Sequence, residues 1–140
     1  MTPRHIGICL IAFALLSASV SAGADVVVVV SARSAITSLS KSQLGDVFLG
    51  RMSRLPDGGL AVPIDQAEGS VARDEFYKNL FGRSPAQMKA YWSRIIFTGR
   101  GQPPRTVADG LEMRKIIAAN PASIGYIDAG LVDGSVRVLQ

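Results

Sequence analysis

From Asp25 onward the apolar positions switch repeatedly between a strand rhythm and a helix rhythm. Val26-Val27-Val28-Val29-Val30 is a β-branched run without alternation. It predicts a strand buried on both faces, as in the middle of a parallel sheet, because an unpaired strand of this kind invites aggregation. Ser31 to Leu39 reads as a loop. Ser40 with Gln43 forms a capping box, Leu44, Val47 and Phe48 make the apolar stripe of the helix it opens, and Gly50 ends it. Arg51 to Gly59 is a loop with Pro56-Asp57-Gly58-Gly59 as its turn. Leu60 to Asp65 predicts a short strand, in which Pro63 implies an edge position or a missing ladder bond.

A second helix is predicted over Ser70–Phe81. Phe76, Tyr77, Leu80 and Phe81 share one face, Asp74 and Lys78 stand four residues apart, and Gly82 terminates it. Ser84-Pro85-Ala86-Gln87 combines an N-cap, a first-turn proline and a capping glutamine. Met88, Tyr91, Trp92, Ile95 and Ile96 then give a wide core-facing stripe. Thr98 to Arg105 is an extended loop rich in glycine and proline. Asp109 with Glu112 starts a further helix that ends before Asn120-Pro121. Ile124–Ile127 and Val136–Leu139 are short strands around an Asp133-Gly134 turn. Strands alternating with helices, without repeats or low-complexity linkers, define a single α/β domain.

The first 24 residues follow a different logic. Arg4 and His5 precede an apolar run from Ile6 to Val20, and Ala22-Gly23-Ala24 is an A-x-A cleavage pattern. Val20-Ser21-Ala22 offers a second cut. Cys9 lies inside the apolar run, which argues against a lipid-anchored N-terminus. The chain of 140 residues therefore divides into a cleaved signal peptide, 1–24, and one domain, 25–140, expected in the periplasm or secreted, with no stable membrane anchor.

This division changes the chemistry. His5 and Cys9 are the only histidine and cysteine, so the mature part has neither. Disulfides, thiolate nucleophiles, histidine acid–base catalysis and the usual zinc sites are excluded there. No serine, lysine, tyrosine or carboxylate motif for catalysis stands out, so no enzyme, cofactor or metal is expected. Loss of Arg4 lowers the formal charge from +4 to +3, and no basic block exists to track nucleic acid.

The strongest local candidate for binding is Glu68-Gly69-Ser70, between a strand and a helix. Glycine lets a ligand approach the backbone, and a helix start offers free N–H groups with partial positive charge. The plain alternative is a turn glycine followed by an N-cap serine. Thr98–Arg105, carrying Arg100 and Arg105, is either a docking segment or flap, or a solvated connector. Tyr91 and Trp92 fit core packing better than a sugar or base platform.

Three segments in order carry a family resemblance. Leu44-Gly45-Asp46-Val47-Phe48-Leu49-Gly50-Arg51 resembles the "ADIFLGK" segment of the periplasmic phosphate-binding proteins of ABC transporters. Ala67-Glu68-Gly69-Ser70-Val71-Ala72 stands where that family has its "SDGSGT" phosphate loop. Ala122-Ser123-Ile124-Gly125-Tyr126-Ile127 is similar to the family's "GAIGY" segment. The resemblance covers about Ile36 to Asp133 and implies one lobe of a type II periplasmic-binding-protein fold, a central mostly parallel sheet flanked by helices. The family's proteins close two lobes on a ligand. One lobe alone implies that it acts singly, dimerises, or meets a partner that completes the cleft.

The family's loop is altered here. Gln66 takes the place of its anion-binding arginine, Val71-Ala72 replace Gly-Thr, and Glu68 matches an aspartate that the family pairs with that arginine. Gly69 and Ser70 carry over. An unpaired Glu68 repels an anion, and Arg73 or Arg33 is available to neutralise it. Because ligands gather at the carboxyl ends of strands in open α/β sheets, the Ser31-Ala32-Arg33-Ser34 loop is expected beside Glu68–Ser70. Ser31 and Arg33 would then join Gln66, Glu68, Gly69 and Ser70 as ligand-binding residues, with Arg33 supplying the guanidinium. A solvated loop arginine is the plain alternative. The resulting expectation is an exported solute-binding-protein-like module for phosphate or another small oxyanion. The alternative is a ligand-free adaptor or sensor lobe that docks on an envelope protein.

Overall fold

The computed structural model describes residues 25–140, so the signal peptide and its two cleavage positions lie outside the described residues. The elements follow in the order β1 (Val26–Ser31), α1 (Lys41–Phe48), β2 (Val62–Gln66), α2 (Val71–Phe81), α3 (Pro85–Phe97), β3 (Arg105–Val107), α4 (Gly110–Ala119), β4 (Ser123–Asp128), a 3₁₀ turn (Ala129–Leu131) and β5 (Val136–Val138). The predicted caps are present. Ser40 with Gln43 and Ser84 with Gln87 close capping boxes on α1 and α3, Ser70 and Asp109 cap α2 and α4, and Gly82 ends α2 at φ 62°. These are contacts within four residues, so sequence alone specifies them.

The five strands form one sheet in the order β3-β2-β4-β1-β5. β2 runs parallel to both β3 and β4, whereas β1 runs antiparallel to β4 and to β5. Four strands therefore point one way and β1 alone points the other. The valine run is interior, as predicted, but its neighbours are antiparallel, which corrects the parallel setting expected for it. Its lack of alternation has a physical reason: both faces of the sheet are covered. Val26, Val28 and Val30 face a core with Phe48, Phe76, Tyr77, Trp92 and Tyr126 beneath α1–α3. Val27 and Val29 face a second core with Ile64, Val107, Met113, Ile117 and Ile127 beneath α4. Gly125 lets α4 close on the sheet, since a Cβ there would stand 2.5 Å from Met113 Sδ and 3.1 Å from Ile117 Cδ1.

The structure decides several other expectations. β2 is an interior strand, so of the two readings of Pro63 the missing ladder donor holds and the edge position does not. The Pro103-Pro104 segment leads into β3, a strand the loop reading missed because it has three residues and pairs with a non-local partner. β4 and β5 are not hairpin partners, since β1 lies between them. The α3 stripe is buried only at Met88, Tyr91 and Trp92; Ile95 is half-buried, and Ile96 is exposed. On α2, Asp74 and Lys78 do not form an ion pair within 4.0 Å among the described residues.

Candidate functional site

The carboxyl end of β2 is where the sheet stops zipping. β2 pairs with β4 only at Val62 and Pro63, and with β3 only from Ile64 to Gln66. Side chains take over where the β2–β4 ladder ends. Gln66 N donates to Asp65 Oδ1 at 2.9 Å and to the Tyr126 hydroxyl at 3.1 Å, while Gln66 Nε2 donates to the Tyr126 carbonyl at 3.1 Å. The Tyr126 hydroxyl donates to Asp65 Oδ1 and the Tyr77 hydroxyl to Asp65 Oδ2 at 2.7 Å. Arg73 Nε completes the set at 3.4 Å from Asp65 Oδ2, with its guanidinium 5.4 Å from the Tyr77 ring centre.

This buried cluster sets its own electrostatics. Burial pushes both phenols well above the ordinary tyrosine range, and the Asp65 carboxylate they donate to pushes them further. For Arg73, burial is the largest single influence and pulls downward, but the Asp65 charge, the two tyrosines and the hydrogen bond to Asp65 together outweigh it, and the guanidinium ends above its ordinary value. Asp65 is thus a buried carboxylate held by four donors, which is the condition for keeping such a charge inside.

Above the cluster sits the predicted loop. Gly69 has φ 89° with open space where a Cβ would stand, so the backbone is accessible there. The Ser70 hydroxyl accepts from Arg73 N at 3.3 Å and donates to Gln66 Oε1 at 2.8 Å. Its proton is therefore directed into the protein. The Ser70 amide donates to Ala67 O at 3.1 Å. The Val71 and Ala72 amides are the helix-start donors that have no intrahelical acceptor.

Gln66, Glu68, Gly69 and Ser70 are thus brought together, though with unequal parts. Gln66 is 2 % exposed, with its side chain spent on Tyr126 and Ser70. Glu68 is exposed and reaches Lys89 at 3.8 Å; neither Arg73, which serves Asp65, nor Arg33 neutralises it. Ser31 and Arg33 are not part of the group. β1 runs against β2 and β4, with Val30 opposite Ile124 and Val26 opposite Asp128. Its carboxyl end therefore lies at the other end of the sheet from Gln66. There Ser31 is buried and donates to Ala118 O at 3.2 Å, while Arg33 is exposed. The expected juxtaposition fails because it assumed a parallel β1.

The sequence places Asp65 only at the end of a predicted strand and Tyr77 on the apolar face of a helix. The available signal was an Asp-Gln pair closing a strand otherwise apolar, followed eight residues later by Arg73 on the next helix.

No protein-family model matches the chain, and no curated protein matches it with significance. Solved structures do match. A Clostridium perfringens protein assigned to phosphate ABC transport as its substrate-binding component, solved with phosphate bound, superposes with a TM-score of 0.65 at 16% identity, covering 82% of this chain and 44% of that one. An ABC-type phosphate transport receptor from Vibrio cholerae gives 0.63 at 20% identity, over 82% and 45% of the two chains. PstS from Borrelia burgdorferi gives 0.60 at 15%, over 82% and 46%. The chain spans a little under half the length of these proteins. Its α/β fold is similar to that of one lobe of these proteins.

Proposed function

We propose that this chain is an exported, non-enzymatic solute-binding module that takes phosphate or another small oxyanion at the start of α2. The observation that carries this reading is the open, positive-φ Gly69 leading into the capped N-terminus of α2, at the carboxyl end of β2. Helix-start amides at such a place attract anions through unpaired N–H groups and the helix dipole. The structural relatives include one solved with phosphate bound, which supports the ligand class. The donors are few: the Val71 and Ala72 amides, with the Ser70 hydroxyl if it turns away from Gln66. Glu68 stands on the rim without a guanidinium to offset it. Binding is therefore weak, around 1 mM or about 4 kcal/mol, and favours oxyanions of low charge. A second lobe, from a second copy or another envelope protein, would close over the same mouth. Cleavage after Ala24 or Ala22 delivers the domain to the periplasm or the medium.

Calorimetry with phosphate, sulfate and small carboxylates tests the reading. Heat of binding at millimolar ligand, lost in Ser70→Ala/Gly69→Val, is the expected result. No heat with any of the three overturns direct binding.

A further inference from the structure

A second place in the molecule gathers the charge that the α2 mouth lacks. Arg51 follows α1, Arg94 lies in the last turn of α3, and Arg100 follows that helix. With Leu49, Tyr91 and Ile95 they line a cavity of about 670 Å³. Arg94 also borders an adjoining hollow of about 420 Å³, where the Arg83 guanidinium lies 5.2 Å from the Tyr91 ring centre.

The walls of this hollow are fixed. The Tyr91 ring is buried, and its hydroxyl donates to Leu49 O at 2.6 Å. The chain turns at Gly50 with φ 73°, where a Cβ would come within 3.2 Å of the Trp92 ring, so the segment bearing Arg51 is held against α3. Arg100 N donates to Ile95 O at 3.1 Å, which folds the post-helix turn back onto the same wall. The charges, by contrast, are poorly answered. Arg51 reaches Asp46 at 3.6 Å in an exposed pair, and among the described residues no carboxylate lies within 4.0 Å of Arg94 or Arg100. The dipole of α3 favours Arg94 alone. Three guanidiniums around one concavity repel each other unless an anion sits between them.

We infer that this hollow is a binding site for a phosphate or sulfate group, gripped by Arg51, Arg94 and Arg100 and separate from the mouth at Gly69–Ser70. The planar donor forks of arginine match tetrahedral oxyanions, and a shared wall of fixed side chains spares part of the ordering cost. Such a group comes either from a free anion or from the headgroup of an anionic lipid. Exposed apolar side chains at the end of α3 suit the second source as well as the first: Phe97, in the same last turn as Arg94, is 91 % exposed and Ile96 beside it 56 %. Aromatic and basic residues paired in this way bind at the boundary of headgroups and acyl chains.

Two titrations of the protein decide it, each run on the wild type, Arg94→Gln, Arg100→Gln and the charge-matched control Lys115→Gln on α4. The first follows inorganic phosphate and sulfate by calorimetry. The second follows sedimentation with vesicles of phosphatidylglycerol and phosphatidylcholine against phosphatidylcholine alone. Binding in either titration that weakens about tenfold in each arginine variant and stays unchanged in Lys115→Gln supports the site. A vesicle-only response that also falls in Phe97→Ser assigns the source to lipid, and a phosphate or sulfate response assigns it to the free ion. Absence of binding in both titrations overturns the inference. So does binding that Lys115→Gln weakens equally, which marks general charge attraction, or binding that survives Arg94→Gln and Arg100→Gln and disappears in Ser70→Ala/Gly69→Val. That last outcome leaves the α2 reading standing.

Discussion

Replacing Asp65 by asparagine keeps its shape and removes its charge. In the folded protein Asp65 is 2 % exposed and accepts from Tyr77, Tyr126, Gln66 N and Arg73. Asparagine offers one acceptor oxygen and one amide that cannot accept, so two of these donors lose a partner. Arg73, with a side chain 11% exposed, is left as an unpaired inward charge. Breaking a buried pair from one side costs about 3–5 kcal/mol, a large share of the roughly 5–15 kcal/mol that holds a small domain folded. At about 4 °C per kcal/mol for a domain of this size, Tm falls by about 12–20 °C.

The reverse change, Arg73→Met, is milder. Asp65 keeps three neutral donors and the methionine fills much of the vacated volume, so the loss is about 1–2 kcal/mol. Urea unfolding followed by the fluorescence of Trp92, the single tryptophan, measures both, and unchanged m values show that the native and unfolded states are comparable. A loss under about 1 kcal/mol for Asp65→Asn, or a larger loss for Arg73→Met than for Asp65→Asn, refutes the assignment of Asp65 as the hub.

Further predictions concern the same framework. The phenols of Tyr77 and Tyr126 are raised in the folded state, so their stabilising contribution is complete below the unfolded tyrosine value and is lost as pH climbs past it. Stability measured by urea unfolding should fall by about 2 kcal/mol between about pH 10 and 11 for the two together, and a flat profile there would contradict their burial in the protonated form. Gly125→Ala drives a methyl into Met113 and Ile117 and should cost about 1–3 kcal/mol in thermal unfolding; no change would mean that α4 sits farther from the sheet. Ser70→Ala removes a helix cap together with the bond to Gln66, and should lower stability by about 1 kcal/mol or somewhat more. Phe97→Ser, at an almost fully exposed side chain, should leave stability within about 0.5 kcal/mol, whatever it does to binding.

How much was legible beforehand divides along the range of the interactions. The caps at Ser40, Ser70, Ser84 and Asp109, the αL stop at Gly82 and the burial of Phe48, Phe76, Tyr77 and Trp92 all follow from patterns within one or two helical turns. The ordered resemblance of three segments carried the lobe itself, which the superpositions on phosphate-binding proteins bear out. The Gly69-Ser70 loop was equally visible, since a strand, a glycine, a capping serine and a helix follow one another directly.

The direction of β1 was not legible. A run of valines states that both faces are covered and says nothing about which way the neighbours point, because the same side chains pack in parallel and antiparallel ladders. That one undetermined bit carried Ser31 and Arg33 to the far end of the sheet. It likewise fixed β1 between β4 and β5, with hydrogen bonds spanning about a hundred residues that no local window contains. The gap between β2 and β4 is of the same kind: only when both strands are in place does Asp65 meet Tyr77, Tyr126 and Arg73. By itself the sequence determined an α/β lobe with an open helix start. The tertiary structure decided where the charges stand, since it paired Arg73 inward, left Glu68 at the rim of that start and gathered Arg51, Arg94 and Arg100 beside Tyr91.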